Sequence, residues 1–358
     1  MFFTIPSIED IDQPALTERL QRKLDNKTKP IGSLGDLERL AMQIAITLGT
    51  ESPQLQSPQL IVFAADHGLA QQGVSAYPSD VTWQMVANFL SGGAAVSVLA
   101  RQHGICLHVA DCGVSHNFDP RHGLLRYKIA HGTRDALLTQ AMSLEQCHQA
   151  LANGVDLIKN LPGNALLLGE MGIGNTSAAA LLMSRLLGLD IADCTGAGTG
   201  LDAGAIKHKT QILRQVLLRH DQAHEPLDAL AAMGGFEIST MVGAVLQAAV
   251  ERRVIVVDGF IASAAVLVAC KLQPFAVQRC IFAHQAAERG HAIMLQHLGA
   301  RPLLRLDLRL GEGSGAALAW PLLVSACEVL NNMASFESAG VARQVPVDQE
   351  KHKPNASP

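Results

Sequence analysis

Aromatic side chains are scarce in this chain: ten Phe, two Tyr and two Trp among 358 residues. Single-stranded nucleic acid is gripped by stacking bases on aromatic rings along a basic groove. The basic groove is missing as well, because charged residues make up only 17% of the chain, the net charge is −4 and no block of Lys or Arg stands out. Neither nucleic acid nor an anionic membrane is expected as a main partner. Long apolar runs are absent too. The longest, at 260–270 and 316–327, fall short of the roughly 20 residues that cross a bilayer. The N-terminus "MFFTIPSIEDIDQP" has no basic start and meets acidic residues early, which does not suit a secretion signal and makes the cytoplasm the expected location. The seven cysteines (Cys106, Cys112, Cys147, Cys194, Cys270, Cys280 and Cys327) form no C-x-x-C pair. Their odd number, and the apolar surroundings of most of them, point to buried, reduced thiols rather than zinc ligands or disulfides.

What the chain does have is apolar bulk, 48% of its residues. Six short runs rich in Val, Ile and Leu occur at 59–68, 105–114, 164–174, 253–260, 279–285 and 303–313. Most lack strict alternation, as strands covered on both faces do. Helical patterns fall near 80–101, 135–160, 175–188, 203–219, 238–251, 260–272, 285–298 and 316–334. Strands alternating with helices predict an α/β fold, a doubly wound and mainly parallel sheet of about six strands with helices on both faces. Residues 1–55, helical without a strand, are expected to join about 316–340 in a small helical subdomain beside a Rossmann-like domain at 56–315. The polar, proline-bearing tail 342–358 is expected to be disordered.

Polar groups gather where these runs end: Asp66-His67, Asp111 with Cys112, Glu170, Asp258, His284 with Glu288 and His291, and Glu312. Open α/β sheets bind ligands at the carboxyl ends of their strands, so this convergence favours an enzyme. In "GEMGIGNTS", Gly172, Gly174, Asn175, Thr176 and Ser177 suit a helix N-terminus that presents N–H groups to an anion. A plain tight turn reads the same way, and Gly172-x-Gly174-x-x-Ser177 is also a weak dinucleotide pattern, though no acid-tipped strand follows at the required spacing. In the loop "TGAGTGLDAGAIKHK", Lys209 is either a counter-charge for phosphate or an ordinary solvated lysine. His284, Glu288 and His291, at offsets of four and three, would share one helix face; they and Asp66-His67 suit hydrogen bonding better than metal. Tyr77, Pro78, Trp83, Gln84 and Met85 make the one aromatic-rich patch, fit for a flat ligand or for packing. Glu312, between Gly311 and Gly313, lets a ligand approach closely, and an apolar ligand over it would raise its pKa toward that of a useful base.

Together these stretches resemble the nicotinate-nucleotide–dimethylbenzimidazole phosphoribosyltransferase family. The likeness runs in order from "KPIGSLGDLERLA" (29–41) through "ADHG", "GVSAYPSDVTWQMVANFLSGGAAVSVLAR", "GEMGIGNTSAAA", "TGAGTGLD", "GGFEI", "VDGFIASAA" and "HxxxExGH" to "LRLGEGSGAALAWPLL" (308–323), about nine-tenths of the chain. The resemblance implies transfer of phosphoribose from nicotinate mononucleotide to a benzimidazole base, with inversion at the anomeric carbon and no cofactor or metal. By resemblance Glu312 is the general base and Glu170 the second carboxylate. Gly172, Gly174, Asn175, Thr176, Gly198, Lys209 and Asp258 would hold the phosphate and ribose, with Asp258 either bonding a ribose hydroxyl or positioning a loop. Ser75, Tyr77, Pro78, Gln84, Met171 and Leu310 would line the base pocket. Ala286 departs from the pattern, since many relatives carry serine there. The family also implies a homodimer. "VIVVDGF" supplies one Asp where pyrophosphate-dependent phosphoribosyltransferases need an acidic pair, which fits a reaction without pyrophosphate or Mg²⁺. The rivals are a dinucleotide-dependent oxidoreductase and a non-catalytic nucleotide sensor.

Overall fold

The computed structural model describes residues 3–198 and 200–342; the expected disorder of the tail falls outside the described residues from 343 onward. Two helices lead, α1 (Pro14–Asp25) and α2 (Asp36–Leu48), followed by strand β1 (Gln59–Ala65). Next come α3 (Asp80–Leu90), α4 (Ala95–Gln102), β2 (Cys106–Gly113), β3 (Leu124–Arg126), α5 (Leu144–Lys159) and β4 (Ala165–Met171). Helices α6 (Asn175–Leu187), α7 (Ile191–Cys194), α8 (Ala203–Arg219), α9 (Pro226–Met233) and α10 (Phe236–Val250) lead to β5 (Val254–Val257). The chain continues through α11 (Phe260–Leu272), β6 (Cys280–Phe282), α12 (Arg289–His297) and α13 (Ser314–Asn332).

The six strands form one sheet in the order β3-β2-β1-β4-β5-β6, every neighbouring pair parallel. The chain builds outward from β1 to β3, then crosses back to place β4 on the other side of β1. At that reversal the connections leave in opposite directions, which opens a crevice at the carboxyl edge. Both faces of the sheet are covered, and the strands divide their side chains between two cores. Ile61, Phe63 and Ala65 of β1 enter one core with α5, α6, α10 and α11, while Leu60, Val62 and Ala64 enter the other with α1, α2, α3, α4 and α13. This is the period-2 rule acting on a strand with two buried faces, and it explains why the sequence shows an unbroken apolar run. Helices α5 and α10 cross in near-backbone contact, because a Cβ on Gly154 would overlap Thr240 O and one on Gly243 would overlap Leu151 O. Helix α13 is apolar enough in composition to cross a membrane, but Ala316, Ala317, Trp320, Leu323, Ala326, Cys327 and Leu330 are buried in the second core.

Three expectations need correcting. The run 303–313 is not a strand: Arg305, Asp307 and Arg309 keep it at the surface, Asp307 has φ +53, and only Leu304 makes a β-bridge, to His284. The sixth strand is instead β3, three residues too short to show a period. The helical pattern 80–101 is two helices, because Ser91-Gly92-Gly93 interrupts it and Gly92 takes φ +79. The pattern 285–298 becomes helical only at Arg289, so His284, Glu288 and His291 do not share a helix face.

Candidate active site

The carboxyl end of β4 is where the site is built. Gly169 has no side chain, and a Cβ there would overlap the Glu312 carbonyl oxygen; a Cβ on Gly311 would overlap Glu170 Oε1. The Gly311–Glu312–Gly313 turn therefore sits directly on the strand end. All three of its residues have positive φ, +78, +66 and +89, and for Glu312 that conformation costs about 1–2 kcal/mol. The turn is held from β5. Asp258 Oδ2 accepts from the Gly313 N–H (3.1 Å) and Oδ1 from the Ala316 N–H (3.0 Å), one on each side of the α13 N-terminus. Of the two roles considered for Asp258, these contacts are those of loop positioning.

This packing buries both Glu170 and Glu312. Burial, reinforced by the neighbouring Asp258 charge and that of Glu237, pushes Glu170 up to about 8; the Asn175 amide, donating to Glu170 Oε2, and the Glu312 N–H act the other way. Burial and the Asp258 charge raise Glu312 to about 7. Both carboxylates thus sit in environments that raise their proton affinities toward neutrality, the range in which a carboxyl can take up or release a proton at working pH. Glu312 reaches this state from its own fold, without a ligand to cover it.

A buried cation stands by the start of α6. Gly174, at φ +99, caps α6, and Gly172 is pressed so closely on Ala65 O that a Cβ would overlap it. The Ile173 N–H donates to Thr82 Oγ1 on α3 (3.1 Å), which fixes the turn. Lys209, on α8, is buried and donates to Thr176 Oγ1 (2.8 Å). Burial pushes its ammonium down to about 8, against the pull of Glu288. A buried ammonium bonded to a neutral hydroxyl gains most from an incoming anion. Lys209 is therefore not the solvated lysine that the sequence also allowed.

One cleft joins the two regions. Of the sequence candidates its wall includes Glu170, Met171, Gly172, Asn175, Thr176, Gly198 and Leu310, together with Phe260, Ile261, His284, Ala286, Glu288 and Arg309. Gly174, Lys209, Asp258 and Glu312 are not part of that wall but adjoin it: Lys209 bonds Thr176, Asp258 approaches His284, and Gly174 and Glu312 neighbour Ile173 and Gly311 in the chain. Ser75, Tyr77, Pro78 and Gln84 do not line it: they lie beyond β1, before and on α3, with Tyr77 half exposed and Gln84 exposed. Trp83 stacks on His116 with ring centroids 4.8 Å apart. Cys112 is buried and its thiol pKa is raised by that burial. No group of three or more His, Cys, Asp or Glu is placed to hold a metal among the described residues.

Sequence reasoning missed how some residues pair. His67 Nε2 and Glu237 Oε1 meet at 2.6 Å, both fully buried, beneath Gly172 and Gly235. The signal existed in "ADHG" and "GGFEI", but the 170 residues between them hide the contact. Arg309 was hidden inside the supposed last strand.

The family model described as DBI_PRT, phosphoribosyltransferase, matches residues 8–341. A nicotinate-nucleotide–dimethylbenzimidazole phosphoribosyltransferase of Variovorax paradoxus is 67% identical over 341 residues, 95% of this chain and 98% of its own. One of the same name from Cupriavidus necator is 53% identical over 344 residues, 95% of this chain and 99% of its own. A crystal structure of CobT from Thermus thermophilus superposes with a TM-score of 0.90 at 39% identity, covering 92% of this chain and all of that one.

Proposed function

This chain belongs to the DBI_PRT phosphoribosyltransferase family, and from that premise we propose that it moves the phosphoribosyl group of nicotinate mononucleotide onto 5,6-dimethylbenzimidazole, with inversion at the anomeric carbon and Glu312 as general base. The bond from the anomeric carbon to the pyridinium nitrogen breaks, and its electron pair leaves with nicotinate as a neutral ring nitrogen. That departure needs no general acid. One benzimidazole nitrogen attacks the opposite face of the sugar, forming the α-glycosidic bond, and the proton on its other nitrogen passes to Glu312. The products are nicotinate and α-ribazole 5′-phosphate.

The observation that carries this reading is the Gly311–Glu312–Gly313 turn seated on β4, with a carboxylate poised at about 7, together with a buried Lys209 bonded to Thr176 of the cleft. A base works best when its pKa lies near the working pH. Glu170, raised to about 8 by burial, is the second carboxyl, placed to hydrogen-bond the ribose or the incoming base. Lys209, Thr176 and the α6 N-terminus would take the 5′-phosphate. The carboxylate charge of Glu312 also favours the positive charge that develops on the sugar. The expected homodimer and cytoplasmic location belong to the same reading, and light scattering checks the former. The deciding experiment incubates the protein with both substrates, follows nicotinate release, and reads the anomeric configuration of the product by NMR. A β product, or no release, refutes the proposal.

A further inference from the structure

His284 follows β6 and is buried in the cleft wall, yet the reaction above gives it no task. Its ring fills a notch that two neighbours leave by lacking side chains: a Cβ on Gly315 would overlap His284 Cδ2, and one on Gly259 would lie 3.4 Å from Nε2. Nε2 stands 3.6 Å from Asp258 Oδ1, while Nδ1 is buried without a hydrogen-bond partner. Asp258 is the carboxylate that grips the Gly313 and Ala316 N–H groups beyond Glu312, and its charge helps to hold up the proton affinities of Glu170 and Glu312. The imidazole therefore sits against a group that both anchors the Glu312 turn and contributes to the field around it.

We propose that His284 is a positioning residue for Glu312, acting through Asp258: wedged between Gly259 and Gly315, it holds the Asp258 carboxylate against the two backbone N–H groups and tempers the negative charge Asp258 casts on Glu312. The inference rests on the reading of Glu312 as the base. The other titratable groups around this cluster are Glu170 from β4, His291 from α12, and Glu288 and Arg309 from the cleft loops. His291 does not share the task. Its Nδ1 accepts the Ala286 N–H (2.9 Å), its Nε2 meets Ser263 Oγ (3.0 Å), and burial together with His284 pushes it down to about 3, so it stays neutral. The charge of Glu288 acts on Lys209, and Arg309 is exposed.

The test is the pH dependence of kcat in His284→Ala and His284→Asn. Without the imidazole facing it, Asp258 repels a charged Glu312 more strongly, and a like charge left uncompensated raises a carboxylate pKa. We expect the acid limb of kcat in His284→Ala to move up by about half to one pH unit, with kcat at neutrality down about two- to fivefold and KM for both substrates within about twofold. His284→Asn, which keeps an amide donor, should recover part of both losses, and it decides the matter should the alanine variant fail to fold. An unmoved acid limb in the folded variant, or a raised KM at unchanged kcat, overturns the proposal. Glu312→Gln separates the two levels: if it turns over at the wild-type rate the base reading itself falls, whereas an inactive Glu312→Gln beside an unmoved His284 limb sinks the role of His284 alone.

Discussion

The two halves of the sheet's carboxyl edge are built on opposite electrostatic plans. At the β4–β5–β6 end, Glu170, Glu312 and Lys209 are buried with proton affinities displaced toward neutrality. At the β1–β2–β3 end the comparable charges are met locally. Asp111 pairs with Lys128 (3.1 Å) and accepts the Val114 N–H (3.0 Å), and Asp66 Oδ2 accepts the Ser115 N–H (2.7 Å). Tyr77, Pro78 and Gln84 offer uncharged side chains to solvent there, with the exposed carboxylate of Asp80 among them. Both ends use the same parallel scaffold, so the difference lies in the turns after the strands. Turns rich in glycine seat carboxylates on strand ends out of water, while the longer excursion after β1 leaves its side chains outside. The buried, displaced charges are concentrated on the first rim, and the charges of the second are paired close by.

The sharpest way to break that contrast is Glu312→Gln. The amide keeps the size of the side chain but cannot take a proton, so kcat should fall by about 10²–10⁴ while nucleotide binding, measured by calorimetry, persists. A turnover within twofold or so of wild type would remove the chemical meaning of the rim. Next in size is a stability effect in the unliganded protein. A carboxyl whose folded pKa is raised contributes stability that is complete below its unfolded value and is lost as pH climbs through the folded one. For Glu170 that window runs from 4.5 to about 8. Glu312 and His67, also raised, act in the same direction, whereas His291, lowered, acts only on the acid side. Glu170→Gln should therefore gain on wild type by about 2–4 kcal/mol on going from mildly acid to mildly alkaline pH. Denaturant melts across that range check it, and a constant difference would mean that Glu170 is already ionised.

How much of this could be read from residue order depends on the range of the interaction. The alternation of buried strands and helices was legible because it is local and periodic. Glu312 stood out because glycines on both sides announce a left-handed turn, and Glu170 because it interrupts a phosphate-like loop. Lys209 could be picked out, but its burial could not, since that depends on Gly198 and Thr176 arriving from elsewhere. The same holds for His67 with Glu237, which joins the end of β1 to the first turn of α10, and for His284 with Asp258, which follow the neighbouring strands β6 and β5. The false strand at 303–313 failed for a related reason: its alternation is genuine, but it lies past β6 at the surface, where Asp307 breaks the ladder.

Lys209→Met sharpens the comparison from the side of the cation. The thioether fills the volume of the buried stem without charge, so the fold should hold, while KM for nicotinate mononucleotide rises by about 10- to 100-fold, the worth of roughly 1.5–3 kcal/mol for a charged hydrogen bond. Inorganic phosphate, a competitor in the wild type, should lose its grip by a similar factor. If KM for the base rises instead, Lys209 does not hold the phosphate.

The smallest effect is expected across β1, at Tyr77. Its ring is half exposed, and the Ser75 hydroxyl accepts its backbone N–H at 3.3 Å, so truncating the side chain leaves the loop's own bond intact. Tyr77→Ala should therefore leave the melting temperature and the nucleotide KM as they are. On the reading of Tyr77 as part of the base pocket, the loss is apolar cover for a flat aromatic ring, worth about 1 kcal/mol, or five- to tenfold in KM for 5,6-dimethylbenzimidazole. Imidazole, an acceptor too small to reach so far, should feel the change less. An equal loss with both acceptors would place Tyr77 in the turn's architecture, and a change in nucleotide KM would show that the two rims are one site.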